Sequence, residues 1–281
     1  MINLDQIKRL IARRLALSDV ALDRRIIVVG DSHVSAFEQA VSFKGNATYS
    51  QVEVYRFEKT KGDISIGNIS YEDFLNLAGE LDSRDHIFSA IGGNHYAVLS
   101  TVEHPLGLEV FNGPNDREPY SERAKLVPYR IISKYLYDAV KSTLGKQLRA
   151  LRETSSANIT HLSPPPPKAD NEFISRYFEH RFAQLGMGKY GPARPELRLK
   201  MWQIQSAALE RLCAELGVGF LPPPAHTVDP SGYLEPYYYA KDATHANRRY
   251  GRETLKQISE FIIAGETSPT GSTVLKKVAS R

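Results

Sequence analysis

Three short stretches of this chain carry side chains that could do chemistry together: Gly30-Asp31-Ser32-His33, Gly92-Gly93-Asn94-His95 and Asp242-Ala243-Thr244-His245. A serine hydroxyl is a weak nucleophile at neutral pH and needs a base within hydrogen-bond reach. His245 offers one. A carboxylate three residues earlier, Asp242, can accept the Nδ1 hydrogen of that imidazole and leave Nε2 facing outward as a general base. Each fragment also has a plainer reading. Gly-Asp-Ser fits a turn whose serine caps the next helix, and Asp-x-x-His is a common surface turn.

The elements that must position these residues can be read from periodicity. Ile26 to Val29 is a run of four aliphatic residues stopped by Gly-Asp-Ser, which reads as a buried strand ending at Ser32. Such a serine stands at the carboxyl end of a strand, where open α/β sheets place their ligands. Further strands are predicted over 51–57, 86–91, 158–162 and 218–221, the third delivering Asn94 at its end as the first delivers Ser32. Helices are predicted over 34–42, 71–81, 131–153, 172–185, 196–216 and 246–264, with Ser70 capping the second and Asp73 completing its first turn. This alternation implies a parallel sheet with helices on both faces. Residues 59–69 read as a polar loop, 186–195 as a flexible connection, and 97–130 as a long irregular segment suited to a lid. The domain proper is expected over 25–265. An arm at 1–24 holds an amphipathic helix over 3–17, and 266–281 reads as a disordered tail.

Composition narrows the function classes. A chain of 281 residues can bury a full core. Its apolar runs are far shorter than the roughly 20 residues that span a bilayer. The single cysteine, Cys213, leaves no intrachain disulfide or cysteine-based zinc site, and there is no His-Glu-x-x-His. Together with an amino terminus lacking an apolar signal region, this sets a cytoplasmic expectation. The net charge of +4 is dispersed, which argues against nucleic acid and accommodates an anionic glycan or nucleotide-like substrate.

Taken in order, the three blocks and their strand contexts resemble the SGNH hydrolase superfamily, the GDSL-type esterases and lipases, over roughly residues 25–264. The resemblance implies an α/β fold, a three-layer αβα sandwich with a central, mainly parallel five-stranded sheet of flavodoxin-like order. It implies Ser32 as nucleophile, His245 as base and Asp242 as its orienting carboxylate. The oxyanion hole would be made by the Ser32 N–H, the Gly67 N–H and the Asn94 side-chain amide, with Gly62 as the fallback for Gly67. No cofactor and no metal is called for. Two positions depart from the family pattern: His33 stands where Leu is usual, and His95 where Asp is usual. His33, His95, Arg130 and Tyr237 are the candidate substrate contacts. Polar, tyrosine-rich mouth loops, including Tyr237 to Tyr239, suit a small-molecule or glycan ester such as an O-acetylated carbohydrate. An acyltransferase would share the acyl-serine intermediate, and a non-catalytic glycan- or partner-binding module would share the fold.

Overall fold

Five residues, Ile26–Gly30, form β1, and every one of them is buried. A strand can be buried along its whole length only inside a parallel sheet covered on both faces. The computed structural model describes residues 24–43, 51–61, 64–111 and 124–266. The expected helix over 3–17, Gly62 and the tail beyond Glu266 lie outside the described residues.

After β1, a single 3₁₀ turn over Ser32–Val34 leads into α1 (Ser35–Val41), then β2 (Val52–Arg56). A hairpin of β3 (Lys59–Lys61) and β4 (Ile64–Ile66) precedes α2 (Tyr71–Gly79) and β5 (His86–Ala90). Next come α3 (His95–Ser100), the strands β6 (Leu108–Phe111) and β7 (Lys125–Pro128), α4 (Tyr129–Ser142) and α5 (Leu144–Thr154). The chain continues through β8 (Asn158–Leu162), three short helices α6 (Asn171–Arg176), α7 (His180–Gln184) and α8 (Met187–Tyr190), and the long α9 (Pro195–Leu216). It closes with β9 (Gly219–Leu221) and α10 (Arg248–Glu266).

The central sheet runs β2-β1-β5-β8-β9, with every pairing parallel. Numbered within the sheet, this is the flavodoxin-like 2-1-3-4-5 order, and its switch point lies between β1 and β5. Alternate β1 residues feed opposite layers. Ile27 and Val29 join Phe74 of α2, Leu148 of α5 and Leu209 of α9, whereas Ile26 and Val28 join Phe37 of α1 and Leu255 and Ile258 of α10. The three-layer αβα sandwich expected from the sequence is therefore the fold observed. Gly251 fixes the outer layer: a Cβ there would overlap the Ala36 carbonyl oxygen, so only glycine lets α10 lie directly on α1. A third buried cluster sits apart from these two, joining Tyr96 and Ala97 of α3, Ile132 and Leu136 of α4, Phe182 of α7, Met201 of α9 and Ala243.

The structure departs from several expectations. The predicted polar loop over 59–69 is largely the β3–β4 hairpin, paired antiparallel. The predicted irregular stretch over 97–130 contains most of α3 and the parallel β6–β7 pair. One helix over 131–153 is two, because the Ser142 and Thr143 hydroxyls both donate to the Ala139 carbonyl and compete with the helical ladder there. One helix over 172–185 is also two, with Tyr177 to Glu179 bridging them and Glu179 extended at φ −77°, ψ 153°. The cap at Ser70 is as expected, its hydroxyl accepting the Asp73 N–H at 3.0 Å.

Candidate active site

Because β2, β1 and β5 are neighbours, the loops that leave their carboxyl ends meet at one edge of the sheet. Ser32 opens the 3₁₀ turn after β1, and its Oγ stands 2.8 Å from His245 Nε2. It caps no helix; the cap position of α1 is Val34, without a side-chain bond. Asp31 ties the turn to its surroundings, Oδ2 accepting the Gly92 N–H at 2.9 Å and Oδ1 pairing with Lys59.

Asn94 comes after Gly92 and Gly93, whose φ values of +65° and +85° bend the chain off β5 in a way that side-chain-bearing residues resist. Gln205 of α9, fully buried, holds this bend from both sides. It accepts the Tyr96 N–H at 2.7 Å and donates to the Gly93 carbonyl at 2.6 Å. The Asn94 side chain makes no capping bond to α3. Gly67, at φ +115°, lies against the chain that leaves β2, where a Cβ would come within 2.5 Å of the Phe57 carbonyl oxygen. Phe57 in turn donates its N–H to the Gly30 carbonyl, so Gly67 flanks the Ser32 turn on the side opposite Asn94.

The His245 imidazole is held by a ring of bonds. Asp242 Oδ2 lies 2.9 Å from Nδ1, and Oδ1 accepts the N–H groups of Thr244 and His245 at 3.0 and 2.7 Å. Burial opposes ionisation of Asp242, but the hydrogen bond and charge of His245, joined by Lys168, outweigh it and hold the carboxyl well below its usual range. Lys168 is 1 % exposed, donates to the Ala240 and Asp242 carbonyls, and packs its Nζ over the rings of Phe173 and Tyr239. Burial pushes its ammonium down to about 8. Arg198, also buried, donates to the carbonyls of Lys168 and Ala169 and so fixes that segment.

A second carboxylate reaches the same ring. Glu179 Oε1 is 3.6 Å from His245 Nδ1; it accepts the Thr244 hydroxyl at 2.8 Å while Oε2 accepts the Ala243 N–H at 3.1 Å. Donor atoms of Glu179, Asp242 and His245 lie within 4.8 Å of one another. Their hydrogen bonds to each other and to the turn already account for that clustering. Sequence reasoning missed Lys168, Glu179 and Gln205. The only signals were a lysine directly after four prolines at the end of β8 and a glutamine among the buried positions of α9.

The four candidate substrate contacts divide. The His33 ring lies 4.9 Å from the His245 ring, and burial, then the charge of His245, pushes its pKa down to about 3. His95 Nε2 lies 3.4 Å from the Thr143 hydroxyl, and burial lowers its pKa. Arg130 is exposed on α4. Tyr237, 57 % exposed, has Arg249 stacked over its ring at 4.0 Å. Of its neighbours, Tyr238 is buried, and the Tyr239 hydroxyl accepts the Ala169 N–H, so the tyrosine run is mainly structural.

A narrow cavity beside the serine turn is lined by His33, Ala36, Gly92, His161, Ala246 and Tyr250. His161 is 1 % exposed with Nδ1 3.3 Å from Ser89 Oγ, and burial pushes its pKa down to about 4. Its unfolded-state value is about 6.5. The unfolded chain therefore binds the extra proton first, and stability is lost as pH falls from 6.5 toward 4. We expect an acid limb worth about 3 kcal/mol from this group. Tm measured from pH 7 to 4 should fall less steeply in His161→Gln than in the parent; identical slopes would remove His161 as the cause.

No family model matches the chain, and no curated protein matches it. Solved structures do. A phospholipase A1 from Streptomyces albidoflavus aligns over 84 % of this chain and 98 % of its own at 14 % identity and TM-score 0.45. A GDSL-like lipase from Bacteroides thetaiotaomicron aligns over 92 % and 97 % at 14 % identity and TM-score 0.42. A carbohydrate acetylesterase family member from Sinorhizobium meliloti aligns over 85 % and 99 % at 13 % identity and TM-score 0.41. At these identities and scores none of those activities transfers to this chain. Its own structure is a five-stranded, all-parallel αβα sandwich of 2-1-3-4-5 order, with a Ser–His–Asp hydrogen-bonded chain beside the switch point of its sheet.

Proposed function

We propose that this protein is a serine esterase that hydrolyses a short-chain acyl ester through an acyl-serine intermediate. The observation that carries the reading is the continuous hydrogen-bonded chain from Ser32 Oγ through the two nitrogens of His245 to Asp242. In this mechanism His245 takes the Ser32 proton as Oγ attacks the ester carbonyl, then returns it to the leaving alcohol. Asp242 holds the imidazole in the tautomer with Nδ1 protonated and stabilises its cation. Negative charge developing on the carbonyl oxygen is met by the Ser32 and Gly67 N–H groups and the Asn94 amide. Water, activated by the same histidine, then cleaves the acyl-serine.

Hydrolysis of p-nitrophenyl acetate, butyrate and octanoate, with mass spectrometry after a serine-directed phosphonate, tests the proposal. Turnover that declines with chain length and a single adduct on Ser32 are expected; an adduct elsewhere would overturn it. Asn94→Ala should lower kcat by about 10²- to 10³-fold with little change in KM, since its bond strengthens only as the oxyanion forms. An unchanged kcat would remove Asn94 from the oxyanion hole.

A further inference from the structure

Four prolines, Pro164 to Pro167, follow Ser163 at the end of β8, and Lys168 comes directly after them. Each proline ring fixes its own φ, so the segment is stiff. It is also tied at both ends. Ser163 donates its N–H to the Leu221 carbonyl, and the Lys168 and Ala169 carbonyls accept from buried Arg198 of α9. The side chain carried on this post runs into the protein. It is 1 % exposed, with Nζ 3.5 Å from Asp242 Oδ1 and bonded to the Ala240 and Asp242 carbonyls. The rings of Phe173, on α6, and Tyr239 cover the ammonium at 4.9 and 5.1 Å. Burying a charge is costly unless partners offset it, and the esterase mechanism as derived from Ser32, His245 and Asp242 makes no use of this one.

The turn that Lys168 meets holds more negative than positive charge. His245 Nδ1 faces two carboxylates, Asp242 Oδ2 at 2.9 Å and Glu179 Oε1 at 3.6 Å, the second from the bridge between α6 and α7. From the serine turn the ring faces Ser32 Oγ and the His33 ring, which burial keeps neutral. Two carboxylates favour the imidazolium, and a ring already protonated cannot take the serine proton. Lys168 reaches Asp242 at Oδ1 while the imidazole takes Oδ2. Among the described residues, the other ion-pair partner of these two carboxylates is His245 itself. Burial lowers the Lys168 ammonium only to about 8, so it carries its charge at neutral pH.

We propose that Lys168 is a positioning residue whose charge balances the second carboxylate, so that Asp242 and Glu179 hold the His245 ring without locking a proton onto it. The inference rests on the esterase reading and adds to it a residue that acts through the Asp242 turn. Two carboxylates and one ammonium leave a single net negative charge around the neutral ring; without Lys168 there are two.

The test is the pH profile of kcat/KM for p-nitrophenyl acetate, from about pH 5 to 9, in the full chain. Lys168→Gln keeps an amide to donate to the two carbonyls but removes the charge. It and Lys168→Met should each move the acid limb of the profile upward by about one pH unit. The sign follows from the charge removed: the imidazolium is favoured, and more alkaline solution is needed to free the base. Adding Glu179→Gln to either variant should return the limb to near its parental position. A lysine that merely clamps the turn would lower the plateau and leave the limb where it was, and that result overturns the proposal, as does a shift to lower pH. Should Lys168→Met fail to fold, Lys168→Gln carries the comparison. The imidazole titration of His245, followed by ¹⁵N NMR without substrate and assigned by its loss in His245→Ala, separates the two readings. An upward shift there in Lys168→Gln supports the charge balance even where no ester is turned over, an outcome that would count against the esterase reading alone. Coincident titrations in the parent and Lys168→Gln overturn the charge balance.

Discussion

Ser32→Ala and His245→Ala are each expected to lower kcat on p-nitrophenyl acetate by about 10⁴- to 10⁶-fold, and the double substitution to be no worse than either alone. The reason is that the two side chains act as one unit. His245 Nε2 has a proton to accept only because Ser32 Oγ is 2.8 Å away, and Ser32 becomes a competent nucleophile only because that nitrogen is there. Once either partner is gone, the remaining rate would come from the proposed oxyanion donors and from binding, which neither substitution touches. Additive losses would mean two independent contributions and would contradict the proposed mechanism. Circular dichroism and Tm separate chemistry from folding here, since Ser32 and His245 are both partly exposed rather than core residues.

Asp242 and Glu179 give the second large effect, because both carboxylates reach His245 Nδ1, at 2.9 and 3.6 Å. Asp242→Ala should lower kcat by about 10²-fold, because Glu179 remains close enough to orient the ring and stabilise its cation. Asp242→Ala combined with Glu179→Gln should lower it by about 10⁴-fold, the loss expected when nothing holds the correct tautomer. Glu179→Gln alone should cost far less than the difference between those two variants. The comparison is a double-mutant cycle, and the coupling is the quantity of interest. If Glu179→Gln has the same effect with and without Asp242, the second carboxylate merely braces the turn through Ala243 and Thr244. The variants also bear on stability, since Asp242→Ala takes from buried Lys168 the carboxylate 3.5 Å from its ammonium and leaves it mainly carbonyl dipoles.

Local features were legible in the residues themselves. Ile26 to Val29 read as a strand buried on both sides, and its abrupt stop at Gly30-Asp31 put Ser32 at the carboxyl end of that strand, although Gly-Asp-Ser alone also fitted a turn capping the next helix. Ser70 with Asp73 announced the start of α2, and the three-residue spacing of Asp242 and His245 allowed their mutual bond, although the same spacing equally fits a common surface turn. Each of these is a short-range property, set by backbone sterics, alternation or a turn of a few residues. The order in which the strands lie side by side was legible only through the motif resemblance.

Long-range packing fixed what local pattern could not. The split of residues 131–153 into two helices is by contrast a local effect, the Ser142 and Thr143 hydroxyls competing for the Ala139 carbonyl three and four residues back. The break after α6 let Glu179 extend toward the His245 turn, across a sequence separation of 64 residues to Ala243. Gln205 reaches the Asn94 bend across a separation of 112 residues, and Lys168 reaches Asp242 across 74. No periodicity encodes such contacts, because a polar residue at a buried position is marked only by what the fold brings to meet it.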